Sequence, residues 1–251
     1  MPVSLEAGLD ALARQRIFFA HQSVGANILD GLRDLLREAG REVAIAEWGQ
    51  SPLTNASKAG GVLWHAKVGR NEEPSSKCED FRRLLDEELA GQVDIALLKF
   101  CYIDINQRTD VARLFDRYRQ TLQDLSRRHP SVTFVPVTAP LRHAAGGLGI
   151  WLREQLGRPN RSKRDNLARH AFNVRLRERY AGTPVFDLAA AEATRPDGRR
   201  ETFSYDSTTA EGLVGRYTDD GGHLNAAGRR AVAADFVRAL AAAARMTVKI
   251  E

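Results

Sequence analysis

Apolar positions follow two periods along the chain. Residues 17–20 form a short apolar run after a charged lead-in. Residues 23–39 then place Ile28, Leu29, Leu32, Leu35 and Leu36 at helical spacing. Residues 43–46 read as a second strand. A polar, Gly-containing segment follows over 49–76. The spacing of Phe81, Leu84, Leu85 and Leu89 predicts a helix over 77–89, with Ser76 as its candidate cap. Residues 93–100 are nearly all apolar, the mark of a central strand buried on both faces. An amphipathic helix is predicted over 111–128 and a β-branched strand over 132–137, ended by Ala139 and Pro140. A Gly-rich loop over 146–149, a helix over 166–180, a short strand over 184–187 and an Ala-rich helix over 226–244 complete the pattern.

Strands alternating with helices predict an α/β sandwich with a mostly parallel sheet. No internal repeat or linker interrupts it, so residues 1–251 are expected to form one domain. Ligands of such folds sit beyond the carboxyl ends of the strands. Chemistry is therefore sought just after each apolar run.

The first run ends in His21, Gln22, Ser23, Val24 and Gly25. Ser23 stands where a helix begins, near amides that favour developing negative charge. Serine at such a place also serves as an N-cap. The segment is not a G-x-S-x-G elbow, because His21 holds the first glycine position. Before the last helix the chain reads Tyr217, Thr218, Asp219, Asp220, Gly221, Gly222, His223, Leu224, Asn225. A tight turn can bring Asp220 to Nδ1 of His223, leaving Nε2 as a general base. Asp219 competes for that place. A turn with a capping Asp and a structural His fits the same residues.

A Ser after the first strand and a D-x-x-H before the last helix together resemble the SGNH/GDSL hydrolase superfamily. The resemblance runs from the first strand to the last helix. It implies a three-layer α/β/α domain around a five-stranded parallel sheet. It also implies Ser23 as nucleophile, His223 as base and Asp220 as its orienting acid. The family's oxyanion hole draws on the nucleophile's own N–H, a second-block Gly and the Asn of a third-block G-x-N-D. Here the third block reads Cys101, Tyr102, Ile103, Asp104, so Cys101 takes the Gly place and Ile103 the Asn place. The best substitutes lie after the second strand: Gly69 for a backbone N–H and Asn71 for a side-chain amide. Both also read as a plain polar turn. Asn106 and Lys99 are weaker candidates.

Further cleft candidates are His21, Trp64, Lys99, Tyr102, Asp104 and His143. Trp64 and His65 are expected in the long loop, as a substrate wall. Lys99 in a buried run needs a partner, and Asp104 is the nearest in sequence. His21 is expected in a structural hydrogen bond.

Composition narrows the classes. With 43% hydrophobic and 27% charged residues, the chain is too apolar and too evenly mixed for disorder. No apolar run nears the roughly 18 residues of a membrane span. Two cysteines, Cys78 and Cys101, exclude a disulfide-rich scaffold and a four-cysteine zinc site. No metal-ligand spacing is present, and neither a metal nor a cofactor is expected. The formal net charge is +5, and only six of the 37 basic residues are lysine. These arginines are expected to form a solvated surface, with the denser 153–179 stretch a candidate polyanion contact. No nucleic-acid motif accompanies it, so nucleic acid is not an expected partner. The first residues lack a signal-peptide pattern. The sequence as it stands predicts a cytoplasmic place, or a periplasmic or secreted one if a leader was removed. The leading expectation is a serine hydrolase of an acyl or acetyl ester on a small molecule or glycan. The alternative is a non-catalytic carbohydrate- or anion-binding module of the same fold.

Overall fold

The computed structural model describes residues 3–50, 61–144 and 160–247. The predicted Gly-rich loop at 146–149, residues 51–60 of the long polar segment and residues 153–159 of the basic stretch lie outside them. The fold is a three-layer α/β/α sandwich around a parallel five-stranded sheet of order β2-β3-β1-β4-β5. The strands are β1 (Arg16–His21), β2 (Ala44–Glu47), β3 (Val62–Lys67), β4 (Ile95–Leu98) and β5 (Thr133–Phe134). An antiparallel ribbon, β6 (Thr202–Tyr205) with β7 (Thr208–Glu211), stands apart from the sheet.

Side chains that alternate along β1 and β4 divide between two cores. Ile17, Phe19, Ile95 and Leu97 pack on one side with α1 (Leu5–Leu12), α2 (Ser23–Glu38), α6 (Leu188–Ala193) and α7 (Ala226–Thr247). Phe18, Ala20, Ala96 and Leu98 pack on the other with α3 (Pro74–Arg83), α4 (Val111–Arg128) and α5 (Arg161–Arg179). Both faces of the central strands are thus covered, which is why their sequences are continuous apolar runs.

Three expectations need correction. The long polar segment contains β3, so Trp64 and His65 are strand residues. Trp64 is buried, with its ring edge-on to Trp48 at 5.5 Å, and forms no substrate wall. The predicted strand at 184–187 is reduced to a single parallel bridge between Val137 and Phe186. Pro136 has no N–H to donate and breaks the ladder beside it. Ser76 is not the cap of α3. Glu73 holds that place, Pro74 follows it, and the Ser76 hydroxyl donates to the Glu73 carbonyl. Beyond Arg83 this helix continues as a π turn over Leu84–Glu88.

Packing of α2 on α7 matters most for the site, because Ser23 opens α2 and His223 shortly precedes α7. Gly31 lets the two helices meet. A Cβ there would lie 2.2 Å from the carbonyl oxygen of Arg229, a backbone atom that cannot swing aside. Gly31→Ala gains up to about 1 kcal/mol of helix propensity. Overpacking costs typically 1–3 kcal/mol, occasionally more. With backbone as the obstacle, net destabilisation is expected, read as a lower urea midpoint. An unchanged or raised midpoint would show that the helices separate freely.

Candidate active site

Ser23 is the first residue of α2, and Gln22 is the N-cap with backbone extended at φ −133° and ψ −162°. Ser23 is therefore not the cap. Gln22 does not cap through its side chain either. Its amide instead donates to the carbonyls of Val68 (2.8 Å) and Gly69 (3.0 Å), tying the turn after β1 to the loop after β3. The Ser23 hydroxyl lies 3.1 Å from His223 Nε2, although the two residues are 200 positions apart in sequence.

His223 Nδ1 donates to Asp220 Oδ2 at 2.5 Å. The carboxylate fixes the tautomer, which leaves Nε2 to accept from Ser23. Asp220 is itself held by its loop. Its Oδ1 accepts from the amides of Gly222 (2.8 Å) and His223 (2.8 Å) and from the Thr218 hydroxyl (3.2 Å). The His223 side-chain hydrogen bond and these backbone donors hold the Asp220 carboxyl well below the usual range. Asp219 turns away and accepts from Asn225 Nδ2 at 3.0 Å. The loop is anchored on both sides. The Leu224 amide donates to Asn27 Oδ1 on α2, and the His143 amide donates to the Gly221 carbonyl. Gly221 has φ +82°, a conformation that favours glycine.

Tyr102 forms one wall. Its ring stands edge-on to His223 at 5.7 Å, and Arg142 lies over it at 5.4 Å. A side chain at Gly222 would be a tight fit, since a Cβ would lie 3.0 Å from the Tyr102 ring, which would have to give way. Partial burial raises the Tyr102 phenol, which stays protonated at neutral pH. Asp220 and His223 remain 56% and 41% exposed, so water reaches the pair.

The other cleft candidates make their own contacts. His143 adjoins the Gly221 turn through its backbone amide, and its Nδ1 lies 3.1 Å from the Leu213 carbonyl. Lys99 is buried, and its Nζ has no hydrogen-bond partner among the described residues. Asp104 is not its partner. Glu192, also buried, leaves Oε1 unpartnered and accepts at Oε2 from the Leu141 amide (2.6 Å). Burial pushes Lys99 down and Glu192 up, both toward the neutral form. Asp104 is wholly buried, in an ion pair with Lys77 at 2.5 Å, so it does not line the cleft. Sequence reasoning missed Lys77, which reads as one more charge on an amphipathic helix.

The loop after β3 carries both oxyanion candidates. The Gly69 amide is already committed, donating to Asp80 Oδ2 at 2.7 Å, so it is not a free donor. Asn71 is exposed. Its Oδ1 accepts from Lys77 Nζ at 3.0 Å, while its backbone N–H and Nδ2 have no hydrogen-bond partner among the described residues. Ile103 is exposed and Asn106 closes a turn with Arg108 and Thr109.

His21 is buried at the end of β1. Its Nδ1 donates to the Gln22 carbonyl (2.8 Å), so Nε2 accepts from His65 Nδ1 (3.2 Å). Burial pushes its pKa down to about 3. An unfolded histidine protonates near pH 6.5. Between these values the unfolded chain binds more protons. The stability that neutral His21 contributes is complete above about pH 6.5 and is lost as pH falls, at about 1.4 kcal/mol per pH unit. Chemical denaturation at several pH values should therefore show a shallower acid dependence over this window in His21→Asn. Parallel curves would refute a neutral buried imidazole.

Both cysteines are buried free thiols. Among the described residues no three His, Cys, Asp or Glu gather as a metal cluster, and no helix is long and apolar enough to cross a membrane. No protein-family model matches the chain, and no curated protein does. Among solved structures it is similar to an acetyl xylan esterase, at 16% identity and a TM-score of 0.48, over 88% of this chain and 97% of that one. It is also similar to a Streptococcus pneumonia protein provisionally described as a platelet activating factor, at 16% identity and a TM-score of 0.45, over 85% of this chain and 91% of that one.

Proposed function

We propose that the protein is a serine esterase of the SGNH/GDSL type, cleaving an acyl or acetyl ester of a small molecule or glycan. The observation that carries this reading is the hydrogen-bonded succession Ser23, His223, Asp220 beyond the carboxyl end of β1. Ser23 Oγ attacks the ester carbonyl carbon as His223 Nε2 takes its proton. Asp220 steadies the imidazolium at Nδ1. The Ser23 N–H at the start of α2 and the Asn71 amide receive the oxyanion. The tetrahedral species collapses. The alcohol leaves with the proton from His223, and an acyl group remains on Ser23. Water, deprotonated by the same imidazole, then releases the acid and restores the serine. None of these steps calls on a metal or cofactor.

The commitment of the Gly69 amide to Asp80 favours the second reading, a non-catalytic carbohydrate- or anion-binding module, because it reduces the donors for an oxyanion. A fluorophosphonate probe with peptide mapping separates the two. An adduct on Ser23 together with turnover in an ester panel is the expected result. Glycan binding with an unlabelled Ser23 would replace the esterase by the binding module.

A further inference from the structure

We infer that Lys77 is a positioning residue for the oxyanion site, acting through Asn71. The inference rests on the esterase reading and goes beyond it. Lys77 lies near the start of α3 with its side chain wholly buried. Its ammonium donates to Asp104 Oδ2 (2.5 Å) and to Asn71 Oδ1 (3.0 Å). An ammonium can only donate. The oxygen of the Asn71 amide must therefore face Lys77, and its NH2 must turn away. A free asparagine has no such constraint, since its two ends are interchangeable in shape. The charge also polarises the amide, which strengthens the outward N–H as a donor.

Asp104 ties the device to the rest of the site. Besides Lys77 it accepts from the amides of Cys101 (2.6 Å) and Glu72 (3.0 Å). Glu72 has φ +68°, an unusual conformation for a residue with a side chain, and this bond holds it. Gln22, next to Ser23, grips the same loop through the Val68 and Gly69 carbonyls. Asn71 is thus held from α3, from the turn after β4 and from the turn after β1. This arrangement accounts for the third-block departure. Asp104 keeps its place, the asparagine is absent from position 103, and Lys77 links Asp104 to an asparagine on another segment. A buried ion pair is a poor stabiliser compared with apolar packing. Orienting Asn71 gives this one a reason to be there.

The test is a double-mutant cycle in the full chain, on an ester that the wild type hydrolyses. Asn71→Ala is expected to lower kcat by roughly a hundred- to a thousand-fold with little change in KM. Lys77→Met should lower kcat at least about tenfold in the wild-type background and leave it unchanged in Asn71→Ala. Removing Lys77 strands the Asp104 charge, so Lys77→Gln, which keeps N–H donors, runs in parallel as the variant expected to fold. Its kcat loss should also vanish without Asn71. An equal loss in both backgrounds, or an unchanged kcat in Lys77→Gln and Lys77→Met, would overturn the inference. A wild type that leaves Ser23 unlabelled by fluorophosphonate fails at the esterase reading instead.

Discussion

Ser23→Ala is expected to lower kcat by roughly 10⁴–10⁶-fold on any ester the protein hydrolyses, and to abolish its fluorophosphonate adduct. The size of the effect follows from the proposed chemistry, in which Ser23 carries the acyl group. Within the described residues the His223 Nε2 nitrogen meets the Ser23 hydroxyl and no second hydroxyl. What survives should be the residual catalysis from substrate binding and oxyanion donors. Folding should be little affected. Gln22, not Ser23, is the N-cap, and among the described residues the Ser23 hydroxyl bonds only to His223. Equal thermal midpoints for variant and wild type would assign the loss to chemistry. Turnover and labelling that persist in Ser23→Ala would remove it as nucleophile.

Asp220→Asn should be nearly as damaging, at roughly 10⁴-fold in kcat. The loop explains why. Two backbone amides and the Thr218 hydroxyl point at one oxygen of Asp220. An asparagine would keep its oxygen on those donors, and its NH2 would then face His223 Nδ1. The imidazole would have to accept there and carry its proton on Nε2. It could no longer take the proton of Ser23. Asp219→Asn is the control, because Asp219 bonds to Asn225 and not to the imidazole. Its kcat should stay within a few-fold of wild type. A loss in Asp219→Asn matching that in Asp220→Asn would mean that the loop rearranges when substrate binds.

The two aspartates also show where sequence reading stops. They are adjacent and chemically identical, and either can be drawn toward His223. Only the path of the turn, set by Gly221 at φ +82° and the Gly222 contact with Tyr102, selects Asp220. The loop after β3 is a second case. Gly69 and Asn71 look like equal donors in sequence. Folding uses the Gly69 amide on Asp80 and holds the Asn71 side-chain oxygen on Lys77. Strand β3 escaped because its apolar start, Val62 to Trp64, is short and embedded in a polar, Gly-containing segment.

By itself the sequence determined the layer plan and the places where chemistry could sit. Continuous apolar runs dictate central strands, helical spacing dictates which faces are buried, and both signals are local. It thus located Ser23 after the first strand and Asp220 and His223 before the last helix. Tertiary structure decided everything that depends on contact across the chain. Close packing of α2 on α7 at Gly31 accompanies the meeting of two groups 200 residues apart. Burial made Lys77 the partner of Asp104 and left Lys99 without one among the described residues. Periodicity encodes which face of an element is covered. It does not encode what covers it, and a side chain's partner, pKa and orientation depend on that.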